Sequence, residues 1–291
     1  MSHALVLLLL LARAEALAPQ TVSQPVAIVS SIEGGAWIQA KAGARKPLAL
    51  YDWISADAMV EVADVGRLEL ILIDGRRYRL NGGAGATVSS TSLSPLRGSV
   101  TQESAMPKLV ALAPIAGSAP RAAGAVRIRG RTIANMNPCD SVRTLRDATV
   151  LRFDPVAGVS RYEIEVRAAG DEEVFAGTAT EPMLAVPAGV LAAGSEYFWF
   201  VRTQGVDPPA QSESRFTTLD GDAESARRTF ASELDPSAGG LLGGIDVHLG
   251  LLNEAVAELT AAAQRAPRDA AVGEAAKRAR ATLAAACSAV R

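Results

Sequence analysis

Residues that could carry out chemistry are few in this chain, and histidine is the scarcest. The sequence has two histidines, His3 and His248. We expect the segment with His3 to be removed on export, which leaves His248 alone. A zinc site needs several histidine or cysteine ligands, and the only cysteines are Cys139 and Cys287. His248 lies in an apolar helical stretch without a nucleophile motif, so we interpret it as a helix-surface or packing residue.

No motif in the sequence supports phosphate binding or catalysis by paired carboxylates. The segment NGGAGATV at 81–88 leads into Ser, Thr and Pro instead of a helix, which indicates a turn and not a nucleotide site. Paired carboxylates could hydrolyse glycosides, but a sequence does not give their separation. We therefore predict a non-enzymatic protein without cofactor or metal, and a carboxylate hydrolase stays open as an alternative.

The N-terminus predicts export. An apolar run of about nine residues at 4–12 is too short for the roughly 20 residues that span a bilayer, and small residues follow it. We predict a signal peptide over 1–18, cleaved after Ala14 or Ala18, and a periplasmic or secreted mature protein. No later segment is apolar for long enough to span a membrane. The formal net charge of -2 argues against nucleic acid as a partner.

Alternating runs over 25–105 predict a small β domain. In RLELILIDGRRYRL at 67–80, two such runs flank Asp74-Gly75, which predicts a hairpin with a two-residue type I′ turn. The order of GGAWIQ at 34–39, PLALYDWI at 47–54, MVEV at 59–62, LELILIDG and YRL resembles the FecR-like domain. That resemblance implies a periplasmic binding or sensing module. Trp37, Tyr51 and Trp53 are its aromatic cluster; they could contact a ligand, but we favour a core role.

Composition then changes twice. Residues 106–124 are rich in Ala, Pro, Gly and Ser and predict a linker. The run AVRIRGRTI at 125–133 predicts a strand with Arg127, Arg129 and Arg131 on one side. We favour a solvent-facing stripe, and contact with an anion or a polysaccharide is the alternative.

Strands recur with turn signals up to residue 219, which indicates an antiparallel sandwich over 125–219. The segments FDPVAGVSRYEIEV, EYFWFV and FTTL resemble a fibronectin type III-like domain. Phe153 stands where a core tryptophan is usual. We place Tyr162, Tyr197 and Trp199 in the core. The resemblance implies a fold and no particular ligand.

Residues 220–291 turn to Ala, Glu, Arg and Leu, which predicts helices that end near Pro236 and Pro267. Small and apolar positions from Leu242 to Pro267 resemble one tetratricopeptide (TPR) helix pair, suited to packing on a neighbour or binding a partner helix. Gly239 and Asp246 occupy positions where that pattern has bulky residues. Cys287 continues an apolar helical stripe, so we expect it to be unpaired with Cys139.

Taken together, the sequence predicts a multidomain, mainly β protein with a short helical C-terminus. We expect it to act as a cell-envelope adaptor that binds an envelope protein or a glycan. The alternative within the same class is a module that binds polysaccharide or peptidoglycan.

Overall fold

The computed structural model describes residues 24–41, 43–106, 109, 131–140, 142–235 and 238–288. The predicted signal peptide, most of the predicted linker, Arg127 and Arg129 lie outside the described residues. Within them, the structure confirms a mainly β protein followed by four helices.

Eight strands form the first sheet, and its two longest strands organise it. β1 and β4 pair along their whole length, β2 and β3 extend the β1 side, and β5 with β8 and β6 with β7 extend the β4 side. The strands are β1 (Pro25–Gln39), β2 (Lys46–Pro47), β3 (Trp53–Ser55), β4 (Met59–Leu72), β5 (Arg77–Asn81), β6 (Gly85–Val88), β7 (Leu93–Arg97) and β8 (Val100–Glu103).

β1 and β4 are longer than the sequence predicts, because each joins two runs that we expected to be separate strands: 26–28 with 36–38 in β1, and MVEV with LELIL in β4. Their pairing shifts register twice, and one of these shifts lies between Gly34 and Ala36. Gly34 has a φ of 72°, and a Cβ there would lie only 2.5 Å from the carbonyl oxygen of Val65. Glycine therefore allows the two strands to approach closely at this shift.

The predicted hairpin is present, but its turn type is wrong. β4 and β5 pair as expected, and the inward side chains Leu68, Leu70, Tyr78 and Leu80 are buried. The Leu72 N–H donates to the carbonyl oxygen of Arg76, which closes a longer loop than two residues. Gly75 has a positive φ and Asp74 does not, whereas a type I′ turn requires a positive φ at both of its central residues.

Seven further strands form a β-sandwich, as predicted. A five-stranded sheet in the order β12-β11-β14-β15-β9 accompanies a two-stranded sheet, β10-β13. Trp199, Tyr162, Phe153 and Tyr197 are buried between them, which confirms their predicted core role. The strands are β9 (Arg143–Thr144), β10 (Val150–Arg152), β11 (Tyr162–Ala168), β12 (Glu173–Ala179), β13 (Met183–Ala185), β14 (Glu196–Thr203) and β15 (Gln211–Thr218).

The helical segment consists of α1 (Gly221–Glu233), α2 (Gly239–Leu249), α3 (Leu252–Arg265) and α4 (Ala270–Ser288). Asp220 caps α1 by accepting from two backbone N–H groups, and Gly250 ends α2 in the left-handed conformation. A Cβ on Gly243 would lie 2.7 Å from Leu259 Cγ, so glycine lets α2 and α3 approach closely. None of the described helices is long and apolar enough to cross a membrane.

These helices pack against both β units. Ala262 and Val272 belong to the core cluster of the first sheet, and Ile28 and Ile71 of that sheet pack with Leu241 and other α2 residues. On the sandwich side, the side-chain amides of Asn137 and Asn253 exchange hydrogen bonds of 2.6 and 2.9 Å. Both β units therefore share buried surface with the helices.

The expectation that the cysteines are unpaired is wrong. Cys139, which precedes β9, and Cys287 in α4 form a disulfide with a Cα–Cα distance of 5.4 Å. They are separated by 148 residues in sequence, so the helical stripe alone gave no sign that α4 passes beside the sandwich. Cys287 packs with Leu252 and Val142 as the stripe predicted, and it is bonded as well.

Gly244 tests whether α2 packs on the first sheet as described. A Cβ there would lie 2.6 Å from Tyr51 Cβ, an atom held close to the backbone, so we expect Gly244→Ala to destabilise the protein by about 2 kcal/mol. Gly273 in α4 is the matched control, because nothing lies within 4 Å of its Cβ position. Gly273→Ala should stabilise by about 0.5–1 kcal/mol, since alanine favours helix. Urea denaturation measures the change in the free energy of unfolding for each variant, and the two changes should have opposite signs. Equal changes would contradict this packing.

Candidate binding surface

Tyr51 and Trp53 pack against α2. If Gly240 or Gly244 carried a Cβ atom, that atom would lie within 3 Å of Tyr51 atoms. The tyrosine therefore fills the space that these two glycines leave on the surface of α2. Trp53 Nε1 donates to the Gly244 carbonyl oxygen at 3.4 Å. Burial raises the pKa of Tyr51 to about 12. Both side chains join the first sheet to α2, which agrees with the structural role favoured from the sequence.

His248 completes that contact. Its ring stacks on Trp53 with centroids 4.4 Å apart, and burial lowers its pKa from the ordinary value. Its Nε2 is buried without a hydrogen-bond partner among the described residues. The histidine is therefore a packing residue, as predicted.

Trp37 lies on a different surface and has charged neighbours. It stands on β1 opposite Glu61 of β4, and Glu61 stands opposite Gly85 of β6, which in turn stands opposite Arg97 of β7. These four positions form one row across the sheet. Because Gly85 has no side chain, Arg97 can lie across it, and a Cβ there would be 3.4 Å from Arg97 Cγ.

Glu61 is the centre of a small ion-pair network on this surface. Its carboxylate accepts from Arg45 at 2.9 Å and from Arg97 at 3.2 Å. The Arg45 guanidinium lies 4.2 Å from the Trp37 ring centroid, which is cation–π geometry. The side chains of Arg45 and Arg97 are 51% and 58% exposed, and the side chain of Glu61 is 22% exposed. We call Trp37, Arg45, Glu61 and Arg97 the Trp37 surface.

This arrangement has the composition of a protein contact surface. Two guanidinium groups and one carboxylate leave a net charge of +1, which suits an acidic group on a partner. Tryptophan and arginine are the residue types most enriched at the energetic centres of protein interfaces. Contacts that hold them in place on the free protein reduce the entropy lost on binding.

The predicted arginine stripe is described only at its end. Arg131 is exposed, and its carbonyl oxygen accepts from the Gln211 N–H at 3.1 Å. Residues 131–133 have irregular backbone, so the strand predicted over 125–133 does not extend through them. No group of three or more candidate metal ligands occurs in the part of the chain that the structure describes.

Trp37 is identifiable as a candidate contact residue from the sequence, but its three partners on this surface are not. Arg45, Glu61 and Arg97 lie 8, 24 and 60 residues beyond it, and only the pairing of five strands brings them together. The glycine run in α2 was the signal for the contact with Tyr51. Gly240 and Gly244 are four residues apart and hence on one helix face, where they leave room for a large side chain.

Comparison with known proteins gives weak likenesses of fold. No protein-family model matches the chain, and no curated protein matches it. Among solved structures, the chain is similar to CopC from Methylosinus trichosporium OB3b at 17% identity and a TM-score of 0.26, over 32% of this chain and 96% of that one. A segment of two fibronectin type III domains from chicken tenascin is similar at 6% identity and a TM-score of 0.26, over 67% and 94%.

The FN1–FN3 domains of chicken CNTN1 are similar at 8% identity and a TM-score of 0.26, over 68% of this chain and 62% of that one. Fibronectin type III domains, the fold that the sequence suggested for the sandwich, are thus among the neighbours. TM-scores this low carry no argument of their own. The sandwich is established by its own two sheets and their shared core.

Proposed function

We propose that this protein is a non-enzymatic adaptor of the cell envelope that binds another envelope protein through the Trp37 surface. The observation that carries the proposal is the Trp37 surface itself. It places an aromatic ring, two exposed guanidinium groups and a carboxylate in fixed contact on the open side of the first sheet. An acidic patch on the partner would complement its net positive charge.

The disulfide supports a location outside the cytoplasm. Disulfides between distant segments persist in oxidising compartments, and the bond between Cys139 and Cys287 fits the export signal proposed for the N-terminus. The FecR-like resemblance of residues 25–105, which includes Trp37, also implies a periplasmic module. The TPR-like resemblance is consistent with a packing role, because α2 presses its glycine face against Tyr51 of the same chain.

A polysaccharide or peptidoglycan module is the second candidate, and the aromatic contacts favour it less. Sugars bind by stacking on an open aromatic face. Trp37 carries Arg45 on its ring, Tyr51 and Trp53 pack on α2, and Tyr78 is buried. These are the four aromatic residues of the first sheet unit.

The proposal is tested by capture from envelope extracts after chemical crosslinking. The bait is the mature chain as wild type, as Arg45→Glu/Arg97→Glu, and as the control Arg161→Glu, an exposed arginine of the sandwich. We expect a discrete protein to be captured by the wild type and the control, with at least about a tenfold loss in the double variant. Equal capture by all three baits would contradict the proposal. Retention of envelope glycan without a protein partner would favour the second candidate.

A further inference from the structure

The outer face of the five-stranded sheet carries two phenylalanines that the sandwich core does not use. Along β14, Tyr197, Trp199 and Val201 point inward and are buried. Phe198 and Phe200 alternate with them, so they point to the opposite face, where both are partly exposed. Neither belongs to the core cluster of the sandwich. Two neighbouring aromatic side chains on an outer sheet face are a common form of protein contact surface.

Charged residues flank the two phenylalanines in opposite ways. Phe200 stands between Glu165 on β11 and Glu213 on β15. Phe198 stands between Arg167 on β11 and Arg215 on β15. An acidic row and a basic row therefore lie side by side, about 7 Å apart along the strands. We call these six residues the Phe198 face: Glu165, Phe200, Glu213, Arg167, Phe198 and Arg215.

This pattern is complementary to itself. Consider a two-fold axis that lies between two stacked copies of the sheet, parallel to both. It crosses the strands at the register of Trp199, midway between the acidic and the basic row. Rotation about this axis places a second sheet over the first with each strand reversed, at the spacing of about 10 Å that stacked sheets have. The acidic row of each copy then faces the basic row of the other. Phe198 of each copy faces Phe200 of its mate.

We propose that the Phe198 face binds a second copy of this chain in that two-fold arrangement. A purely acidic partner would be repelled by Glu165 and Glu213, and a purely basic one by Arg167 and Arg215. The required partner has an aromatic centre and the two charged rows in reverse order. The chain itself supplies this surface, and like-charge contacts would disfavour other registers.

Contacts within one copy already hold the arginines in position. Arg167 pairs with Glu165 and, at 2.9 Å, with Asp171, and its guanidinium lies 5.4 Å from the Phe200 ring centroid. Arg215 pairs with Asp140 at 3.2 Å. The second copy therefore adds attraction to side chains that are already ordered, which reduces the entropy lost on association.

The test uses sedimentation velocity over a concentration series, with two reciprocal charge variants. Glu165→Lys places lysine opposite Arg167 of the mate, and Arg167→Glu places glutamate opposite Glu165. We expect the wild type to dimerise and each variant alone to have a Kd raised more than about tenfold, because the unfavourable contact occurs twice per dimer. Lys277→Glu on α4 is the charge control and should dimerise like the wild type.

Mixing the two variants decides the geometry. In a mixed pair, the lysine introduced at position 165 of one copy would face the glutamate introduced at position 167 of the other. The native Arg167 and Glu165 would also face each other, so dimerisation should return to within a few-fold of the wild type. Thermal melts of both variants check that each is folded. A wild type that stays monomeric throughout the series would overturn the proposal. Unrestored association of two folded variants in the mixture would overturn it equally.

Discussion

We expect Cys139→Ala/Cys287→Ala to lower the free energy of unfolding by about 4 kcal/mol. The disulfide joins residues 148 positions apart, and the entropy that a crosslink removes from the unfolded chain grows with the enclosed loop. Alanine keeps both sites small and apolar. The loss of stability therefore comes from the missing disulfide and not from a newly buried polar group. Urea denaturation monitored by tryptophan fluorescence measures it.

Reduction provides the control for this prediction. Dithiothreitol should lower the stability of the wild type to that of the double alanine variant and leave the variant unchanged. A difference below about 1 kcal/mol between the oxidised wild type and the variant would show that the bond does not constrain the unfolded chain, contrary to this expectation.

We expect Asp246→Ala to cost about 3 kcal/mol. Asp246 in α2 is fully buried, and its carboxylate accepts two hydrogen bonds from Arg227 of α1 at 2.6 and 2.7 Å. Burial raises the pKa of Asp246 to about 6, and the two bonds from Arg227 act against that shift. Removal of the carboxylate leaves the Arg227 guanidinium almost buried without its main partner, which is a costly state.

A double-mutant cycle separates pairing from packing. Because apolar residues can replace a buried ion pair at little cost, Arg227→Met/Asp246→Leu should recover most of the stability lost in Asp246→Ala. Urea midpoints of the wild type, Arg227→Met, Asp246→Leu and the double variant supply the cycle. If Asp246→Ala unfolded at the same urea concentration as the wild type, the pair would not stabilise the helical segment.

Local patterns predicted the elements better than the contacts between them. Strand alternation identified the inward residues of β5 and β14, and Pro267 marked the end of α3, because these signals act over a few residues. One of the two departures from the helix-pair pattern has a structural reason, because the Asp246 carboxylate pairs with Arg227. Gly239 has only the flexible ends of Arg265 and Glu258 near its Cβ position, and the structure does not explain it.

The candidate surface and the disulfide could not be read from the sequence, since both depend on register and docking. Glu61 meets Trp37 because β1 and β4 pair antiparallel along their length. Cys287 meets Cys139 because α4 packs between the sheet and the sandwich, where Arg278 also donates to the Leu50 carbonyl oxygen at 2.6 Å. The same docking means that a chain ending at Leu219 would expose Tyr51 and its neighbours, so surface variants are better probes of function than truncation.

Site-specific photocrosslinking in living cells shows which surface of this protein the partner touches. One crosslinking residue replaces Lys46, exposed on β2 beside Arg45, and a second replaces Lys277, exposed on α4. We expect a discrete protein adduct from position 46 that is absent from position 277 and disappears with Arg97→Glu. Adducts of equal yield from both positions, or none from position 46, would contradict the assignment of the Trp37 surface as the binding site.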